Sequence, residues 1–436
     1  MEQTLNALDR EAIIEIGADA NLENVLHFVY ACYFCVNVEM VETLETPHFA
    51  GNLKSKVLAA SKYTGEETFT TGSYDAKHIL ARKNQTVIIE TSGTSGVRKK
   101  IVHSIKSLEY QAKAVSKQLE MTPDDRQLAY MPMNYIYGLS IIYTWLYSGS
   151  TLVISEHGPH SMSKFFQEII RSKITVFSGV PFTYLLMKKW GINKIRNSNI
   201  RCLTQAGGYL PANVKKLILE ELPEIPFIVM YGQTEFCGRI SQGELKIGFE
   251  DSYVGKLLDE IDAIVDENGE LYVSSPSICL NADQFMCQKI HKGQAYYSTG
   301  DIAQLNEAVL SVSGRNQNFI KVGGRRIPQD SIISLIEKDS RINSVFVTSG
   351  INKTEKVLIG ISIDSHNEYE VCDQDMPVLD NEIKSELKAI IGNVGYEIIL
   401  LSGSLPTLKN GKFDLMQITS AIKESYIAKK TIHFWL

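Results

Sequence analysis

Along roughly the first 250 residues, short apolar runs of strand length alternate with segments of helical period. Val87-Ile88-Ile89, Leu152-Val153-Ile154, Ile174-Thr175-Val176-Phe177 and Ile228-Val229-Met230 are nearly unbroken apolar stretches, the pattern of strands covered on both faces. Between them, Ser104 to Leu119 and Ser163 to Arg171 space their apolar residues three and four apart and predict helices. Strand and helix in alternation predict α/β layers. From about Asp251 the texture changes. Ile261 to Val265 and Glu270 to Ser274, joined by Asp266-Glu267-Asn268-Gly269, read as a hairpin, and further short strands surround Tyr296 to Ala303. Beyond Ser313 come strands at Ile320 to Val322, Val345 to Thr348 and Val357 to Ile363, with helices from Gln329 to Lys338 and Asn381 to Ile391. The expected fold class is α/β: a large N-terminal domain of α/β layers (1–315) with a small β-rich subdomain, followed by a small α+β C-terminal domain (316–436).

The length of 436 residues exceeds the roughly 100–200 of one ordinary domain and fits this division. With 44% hydrophobic and 22% charged residues, wholesale disorder is excluded. The balance of 44 Lys+Arg against 50 Asp+Glu, net −6, leaves no global basic footprint for a nucleic acid, so any anion site must be local. Seven scattered cysteines, an odd number, point to reduced thiols. Cys32 and Cys35 form a lone Cys-x-x-Cys inside the apolar run Val25 to Val38, where a buried structural role is favoured over redox chemistry. That run holds His27 and Asn37 and is shorter than the about 20 residues a membrane span needs. The opening residues carry early acids and no apolar signal-peptide core. A soluble, cytoplasmic protein without a membrane span is expected.

Local anion chemistry is concentrated after the strand Thr86 to Glu90. There Thr91-Ser92-Gly93-Thr94-Ser95-Gly96-Val97-Arg98-Lys99-Lys100 combines hydroxyls, glycines and three cations. Glycine lets backbone N–H groups approach an anion, hydroxyls donate further hydrogen bonds, and cations neutralise phosphate charge. A strand-to-helix turn with exposed lysines would show the same composition. The spacing is not that of a Walker loop, which disfavours a plain P-loop ATPase.

The segment resembles the Thr-Ser-Gly-Thr-Thr-Gly-x-Pro-Lys-Gly signature of the adenylate-forming superfamily, which includes acyl- and aryl-CoA ligases, luciferases and peptide-synthetase adenylation domains. Four further motifs follow in that family's order: Tyr231-Gly232-Gln233-Thr234-Glu235, Tyr297-Ser298-Thr299-Gly300-Asp301, the hinge-like stretch from Gly314 through Gln317 to Ile327, and Leu405-Pro406-Thr407-Leu408-Lys409-Asn410-Gly411-Lys412. The resemblance implies coupling of a carboxylic acid to ATP as an acyl-adenylate, then transfer to the phosphopantetheine thiol of CoA or of an acyl carrier protein. It implies that Thr91, Ser92, Gly93, Thr94, Ser95, Gly96 and Lys99 bind the nucleotide, with Thr94, Ser95 and Lys99 on the β- and γ-phosphates, that Glu235 binds Mg²⁺, and that Thr234 bonds the α-phosphate. Tyr231 and Gly232 would face the adenine on one side and Gly207, Gly208 and Tyr209 on the other. Asp301 would accept the ribose hydroxyls, Arg315 would contact ribose or phosphate, and Lys412 would bridge the attacking carboxylate and the α-phosphate. Gln317 falls at the hinge about which the C-terminal domain turns.

Departures from the pattern qualify these expectations. Arg98 stands where Pro is usual and Lys100 where Gly is usual, so the loop's end is expected to follow a different path or carry strain. Ninety residues precede the loop, fewer than in typical members, so an abbreviated N-terminal part is expected. In Pro132-Met133-Asn134-Tyr135-Ile136-Tyr137-Gly138-Leu139, Tyr135 takes the place of the family's pocket-gating His or aromatic. No acid occurs in residues 134 to 139, where domains for α-amino acids place an Asp for the substrate ammonium. An aryl or acyl acid without an α-amino group is therefore expected, lined by Tyr135, Gly179, Val180, Ala206 and Phe236. The alternative is a catalytically weakened member that binds nucleotide, acyl group or a partner without completing adenylation.

Overall fold

The computed structural model describes residues 13–17, 37–41, 62–63, 68–70, 86–92, 98–155, 157–250, 252–315, 319–322, 325–339, 341–350, 356–363, 380–392, 394–403, 405–407, 413–428 and 432–434. At its centre five strands run parallel in the order Thr151–Ile154, Arg126–Ala129, Val176–Gly179, Cys202–Gln205 and Phe227–Tyr231. Successive side chains of a strand point to opposite faces. Leu152, Ile154, Val176, Cys202 and Met230 accordingly enter a core on one face, built with helices Ile105–Gln118 and Ile136–Ser148. Val153, Phe177, Leu203, Phe227 and Val229 enter a second core on the other, under helices Met162–Arg171, Pro181–Trp190 and Ala212–Glu221. Burial on both faces is why these runs are almost uninterruptedly apolar.

The hairpin expected between Ile261 and Ser274 is present as Asp262–Val265 and Glu270–Ser274, paired antiparallel. Its turn is held by the Asp266 carboxylate, which accepts the N–H groups of Asn268 and Glu270, both at 2.9 Å, and by Gly269 at φ 83°. The β-rich part has its own core of Ile261, Ala263, Leu271, Val273 and Leu310, yet it is not a detached sheet. Strands Ser241–Glu244, Tyr253–Leu257, Val309–Arg315 and Gln294–Asn306 continue the hydrogen-bonded path from Phe227–Tyr231 to the hairpin.

A second sheet brings Ile13–Gly17, Asn37–Val41, Thr86–Ser92 and Arg98–Ser104 together. The last two pair antiparallel from Thr86 with Ser104 to Ser92 with Arg98, so residues 93–97 connect a β-hairpin and not a strand to a helix. Lys100 lies opposite Glu90 in the ladder and is not among the residues of positive φ, so the loss of glycine there carries no strain. The strand ends at Ser104, whose hydroxyl accepts the Ser107 N–H at 3.1 Å and caps the helix Ile105–Gln118.

Beyond Arg315, strands Ile342–Ser349, Lys356–Ile363, Gly395–Gly403 and Ile432–Phe434 form a mixed sheet, with helices Gln329–Ile336, Asn381–Ile391 and Leu415–Ala428. Val345 and Val347 face one core and Phe346 the other, repeating the two-sided pattern. This unit touches the helices of the large part: Lys188 Nζ donates to Asn343 Oδ1 at 2.8 Å and Asn213 Nδ2 to the Ile342 carbonyl at 3.1 Å.

At the amino ends of the central strands, Asp125 is buried and accepts Arg201 through both oxygens, at 2.7 and 2.8 Å, together with the Thr175 hydroxyl and the Thr122 N–H. Burial pushes its carboxyl up, but the Arg201, Thr175 and Thr122 hydrogen bonds outweigh it and hold it below the usual carboxylate value. A depressed pKa stabilises the fold above the ordinary value and loses that contribution as acid carries the pH down through the depressed one. Asp125→Ala is expected to cost about 2 kcal/mol at pH 7, because Arg201, the Thr175 hydroxyl and the Thr122 N–H lose their shared acceptor, and less under strongly acidic conditions. Urea unfolding at the two pH values checks this.

Candidate nucleotide and acyl site

Three neighbouring strands end together at Gly179, Gln205 and Tyr231, and the chain leaves each through a turn rich in expected site residues. Clefts in open α/β sheets form outside these carboxyl ends. After Gln205, Ala206 is buried and Gly207 takes φ +88°, and a Cβ there would lie 1.9 Å from Tyr135 Oη. Gln205 Nε2 closes the turn on the Gly208 carbonyl at 2.8 Å. Tyr209 is exposed, with Lys215 Nζ 5.1 Å from its ring centre. After Tyr231, Gly232 lets the backbone pass against Gly238, whose carbonyl oxygen would be 2.3 Å from an added Cβ.

Tyr231 and Asp301 meet directly. The Tyr231 hydroxyl donates to Asp301 Oδ2 at 2.5 Å, Gln233 Nε2 donates to the same oxygen at 2.7 Å, and Arg315 Nε lies 3.3 Å from Oδ1. Both carboxylate oxygens thus have protein partners, with Oδ2 doubly engaged, so Oδ1 is the one with room for a further donor. Burial pushes the Asp301 carboxyl up, against the opposing pull of Arg315, Tyr231 and Gln233. The pairing of Tyr231 with Asp301 joins the end of the parallel sheet to the β-rich part.

Thr234–Phe236 form one 3₁₀ turn, and the hairpin of Thr86–Ser92 and Arg98–Ser104 is fastened to it. His103 Nε2, on the second hairpin strand, donates to the Thr234 carbonyl at 2.7 Å. The Cys279 N–H donates to the Glu235 carbonyl at 2.8 Å, while the next residues hold the same hairpin strand. The Leu280 N–H bonds the Val102 carbonyl at 2.7 Å, and the Asn281 side chain spans the Val102 N–H at 3.1 Å and the Lys100 carbonyl at 2.8 Å. Thr91 pairs with Lys99 in the hairpin, and Lys99 is exposed with its ammonium 5.2 Å from the Phe285 ring centre. Gly93, Thr94, Ser95, Gly96, Gln317 and Lys412 lie outside the described residues, as does the Ser92 side chain. Among the described residues no group of three metal-binding side chains occurs. A lone carboxylate such as Glu235 suits Mg²⁺ shared with phosphate oxygens, the usual mode for nucleotide-bound magnesium.

On the acyl side the expected set divides. Tyr135, Val180 and Ala206 share one core cluster, and Gly179 gives its space to the Tyr184 ring, which a Cβ would meet at 2.5 Å. Phe236 leaves the set: it is fully buried in the core of the β-rich part with Ile240, Leu258 and Leu271, because the 3₁₀ turn rotates it away from the Tyr135 cluster. Sequence reasoning missed Arg239, which is 2% exposed. A lone cation set between Gly238 and the apolar Ile240, just after the Glu235 motif, is the signal that could have found it.

The model of the AMP-binding enzyme family matches residues 19–280. Gramicidin S synthase 2 of Aneurinibacillus migulanus is 27% identical over 356 residues, which cover 75% of this chain and 8% of that protein. The 2-succinylbenzoate–CoA ligase of Bacillus subtilis (strain 168) is 28% identical over 265 residues, 57% of this chain and 52% of the ligase. The chain therefore spans about half, or far less, of these curated relatives. D-alanine–D-alanyl carrier protein ligase of Listeria innocua is 25% identical, with 77% and 70% covered. The structure of the Bacillus subtilis O-succinylbenzoate coenzyme A synthetase in complex with AMP superimposes with TM-score 0.68 at 19% identity, covering 96% of this chain and 90% of that one. Klebsiella oxytoca NpsA does so with TM-score 0.71 at 14% identity, covering 96% and 91%. These likenesses show the mixed α/β fold.

Burial pushes the His103 imidazole down to about 4, against the opposing hydrogen bond to Thr234. A lowered folded pKa means the unfolded chain binds the extra proton first, so stability falls as pH drops from about 6.5 toward 4. That window is worth about 3 kcal/mol. Replacing His103 by Gln, which keeps an N–H for Thr234, is expected to flatten this part of the stability profile, as read by urea unfolding at a series of pH values.

Proposed function

The chain belongs to the AMP-binding enzyme family, and from that membership we propose that it activates a carboxylic acid with ATP and passes the acyl group to a thiol. The acid's carboxylate attacks the α-phosphorus, pyrophosphate leaves, and the acyl-adenylate then gives its acyl group to a phosphopantetheine thiol of CoA or of an acyl carrier protein, releasing AMP. The observation that carries this reading is the meeting of Tyr231, Asp301 and Arg315 at the carboxyl end of the sheet, beside a Thr234–Glu235 turn fastened to the phosphate-loop hairpin. Such fastening would hold charge-stabilising groups in place as pyrophosphate departs.

In this reading the Gly207–Gly208 turn and Tyr231 flank adenine, Asp301 Oδ1 and Arg315 meet the ribose, and Lys99 leaves Phe285 for the terminal phosphates with Thr94 and Ser95. Glu235 would hold Mg²⁺, which would supply neutralisation of the phosphate charge. Lys412 serves the attacking carboxylate; its neighbour Phe413 packs edge-on against Phe182, 6.3 Å between ring centres, at the start of the helix that follows Val180. This supports placing the lysine segment near the acyl pocket. Turning of residues 316–436 about Gln317 would withdraw it for the thiol step. An acid without an α-amino group is favoured, since no carboxylate occurs in residues 134 to 139 and Arg239 would repel an ammonium. The substitutions Arg98 and Lys100 sit in a regular strand and give no independent support to a weakened enzyme.

Acid-dependent exchange of label between pyrophosphate and ATP, over a panel of aryl and alkyl acids, is the test. Exchange with at least one acid, an acyl-AMP of matching mass and a loss of at least about 100-fold in Lys412→Ala are expected. Absence of exchange with every acid would overturn the reading.

A further inference from the structure

Strand Arg98–Ser104 lies at one side of its sheet, with Thr86–Ser92 as its strand neighbour among the described residues. The outer edge of such a strand presents the N–H and C=O groups of every second residue without a ladder partner. Lys100 and Val102 carry such groups here, and a side chain supplies what a strand would. The Asn281 amide oxygen accepts the Val102 N–H at 3.1 Å, and its nitrogen donates to the Lys100 carbonyl at 2.8 Å. The Leu280 N–H completes the row on the Val102 carbonyl at 2.7 Å. One side-chain amide thus takes the place of a peptide group of a further strand.

The segment that carries Asn281 touches each part expected to meet the nucleotide. Two residues before it, the Cys279 N–H holds the Glu235 carbonyl at 2.8 Å. Ile101, between Lys100 and Val102, is fully buried in one cluster with Cys279 and Ala282, so the hairpin strand is held through its apolar side as well as its edge. Asn281 leads into the 3₁₀ turn Ala282–Gln284, and at the end of that turn the Phe285 ring centre lies 5.2 Å from the Lys99 ammonium. Beyond it, the Cys287 carbonyl accepts the Ser298 N–H at 2.8 Å, on the strand that carries Asp301. Residues 279–287 therefore tie the Lys99 strand, the Glu235 turn and the Asp301 strand together. Asn281 is the side chain that fixes the first of these against the other two.

Resting on the ligase reading above, we propose that Asn281 is a positioning residue for the terminal phosphates of ATP. Through the strand edge it sets where Lys99 stands relative to Glu235, the cation and the carboxylate which that reading assigns to the phosphates and Mg²⁺. The bond to Lys100 is exposed, so water replaces it when the amide is removed and the fold is retained. Water does not hold the strand in register with residues 279–287. A nucleotide that extends past its α-phosphate meets that loss, and one that ends there does not. This difference separates a positioning role from one in stability alone.

The experiment measures binding of α,β-methylene-ATP and of AMP to the full chain with Mg²⁺ by titration calorimetry. Asn281→Ala is expected to raise Kd for the ATP analogue roughly tenfold, while Kd for AMP stays within about twofold. Should Asn281→Ala fail to fold, Asn281→Ser, whose side chain is too short to span both backbone groups, carries the same expectation. Equal weakening of the two nucleotides overturns the inference, and so does an ATP analogue bound as tightly as by the unaltered chain. Either result leaves the ligase reading standing. An unaltered chain that binds neither nucleotide overturns the ligase reading and this inference with it.

Discussion

Two-sided burial of the parallel strands is the constraint on which the rest depends. Leu203 and Phe227 serve one core while Cys202 and Met230 serve the other, so the middle of the sheet has no solvent-facing side left for chemistry. Polar groups gather chiefly where the strands stop, the Tyr137, Thr204 and Ser178 hydroxyls apart. At the amino ends they gather as Asp125, Arg201 and Thr175, whose hydrogen bonds close on one another. At the carboxyl ends they gather as the Gly207 turn, Tyr231 and the Thr234–Glu235 turn, where the chain leaves the strands. The same architecture thereby separates a terminus devoted to stability from one available to ligands.

The carboxyl end is completed by parts from elsewhere in the chain, and hydrogen bonds to main-chain atoms do the joining. Asn281 grips the hairpin strand at Lys100 and Val102, Cys279 holds the Glu235 carbonyl, and His103 holds the Thr234 carbonyl. Contacts of this kind specify position without requiring a particular side chain in return. They also explain how Arg98 and Lys100 are accommodated: the strand ladder and Asn281, more than local glycine or proline geometry, define the path there.

Much of this was legible in the sequence because periodicity reports burial. The apolar runs at Val176-Phe177 and Ile228-Val229-Met230 are strands, and Asn381–Ile391 is a helix with the bounds its spacing implies. The Asp266–Gly269 turn was equally readable, since side-chain capping and positive φ are local properties. Long-range facts were not. That the segment after Thr91 folds into a hairpin depends on pairing with residues up to Ser104, and a glycine-rich composition fits a helix start as well. That Asp301 is engaged by Tyr231 and Gln233 depends on residues about seventy positions away. Phe236 illustrates the same limit, because motif adjacency places its backbone and the 3₁₀ turn decides which core its ring enters.

Three buried charges form a series that orders stability against function. Asp125 has a full set of partners and its carboxyl is held below the usual value. Asp301 has partners too, but burial outweighs them and its carboxyl is pushed up. Arg239 has a thioether, a neighbouring carbonyl, a hydroxyl and the Tyr137 ring, with no ion pair among the described residues. Compensation by charged partners falls along this series. A protein near its stability threshold retains such a deficit where a ligand can repair it, since the interaction withheld from folding is then available to binding. The weakest compensation thus lies at the carboxyl end of the sheet, where Arg239 meets Tyr137 and Met230.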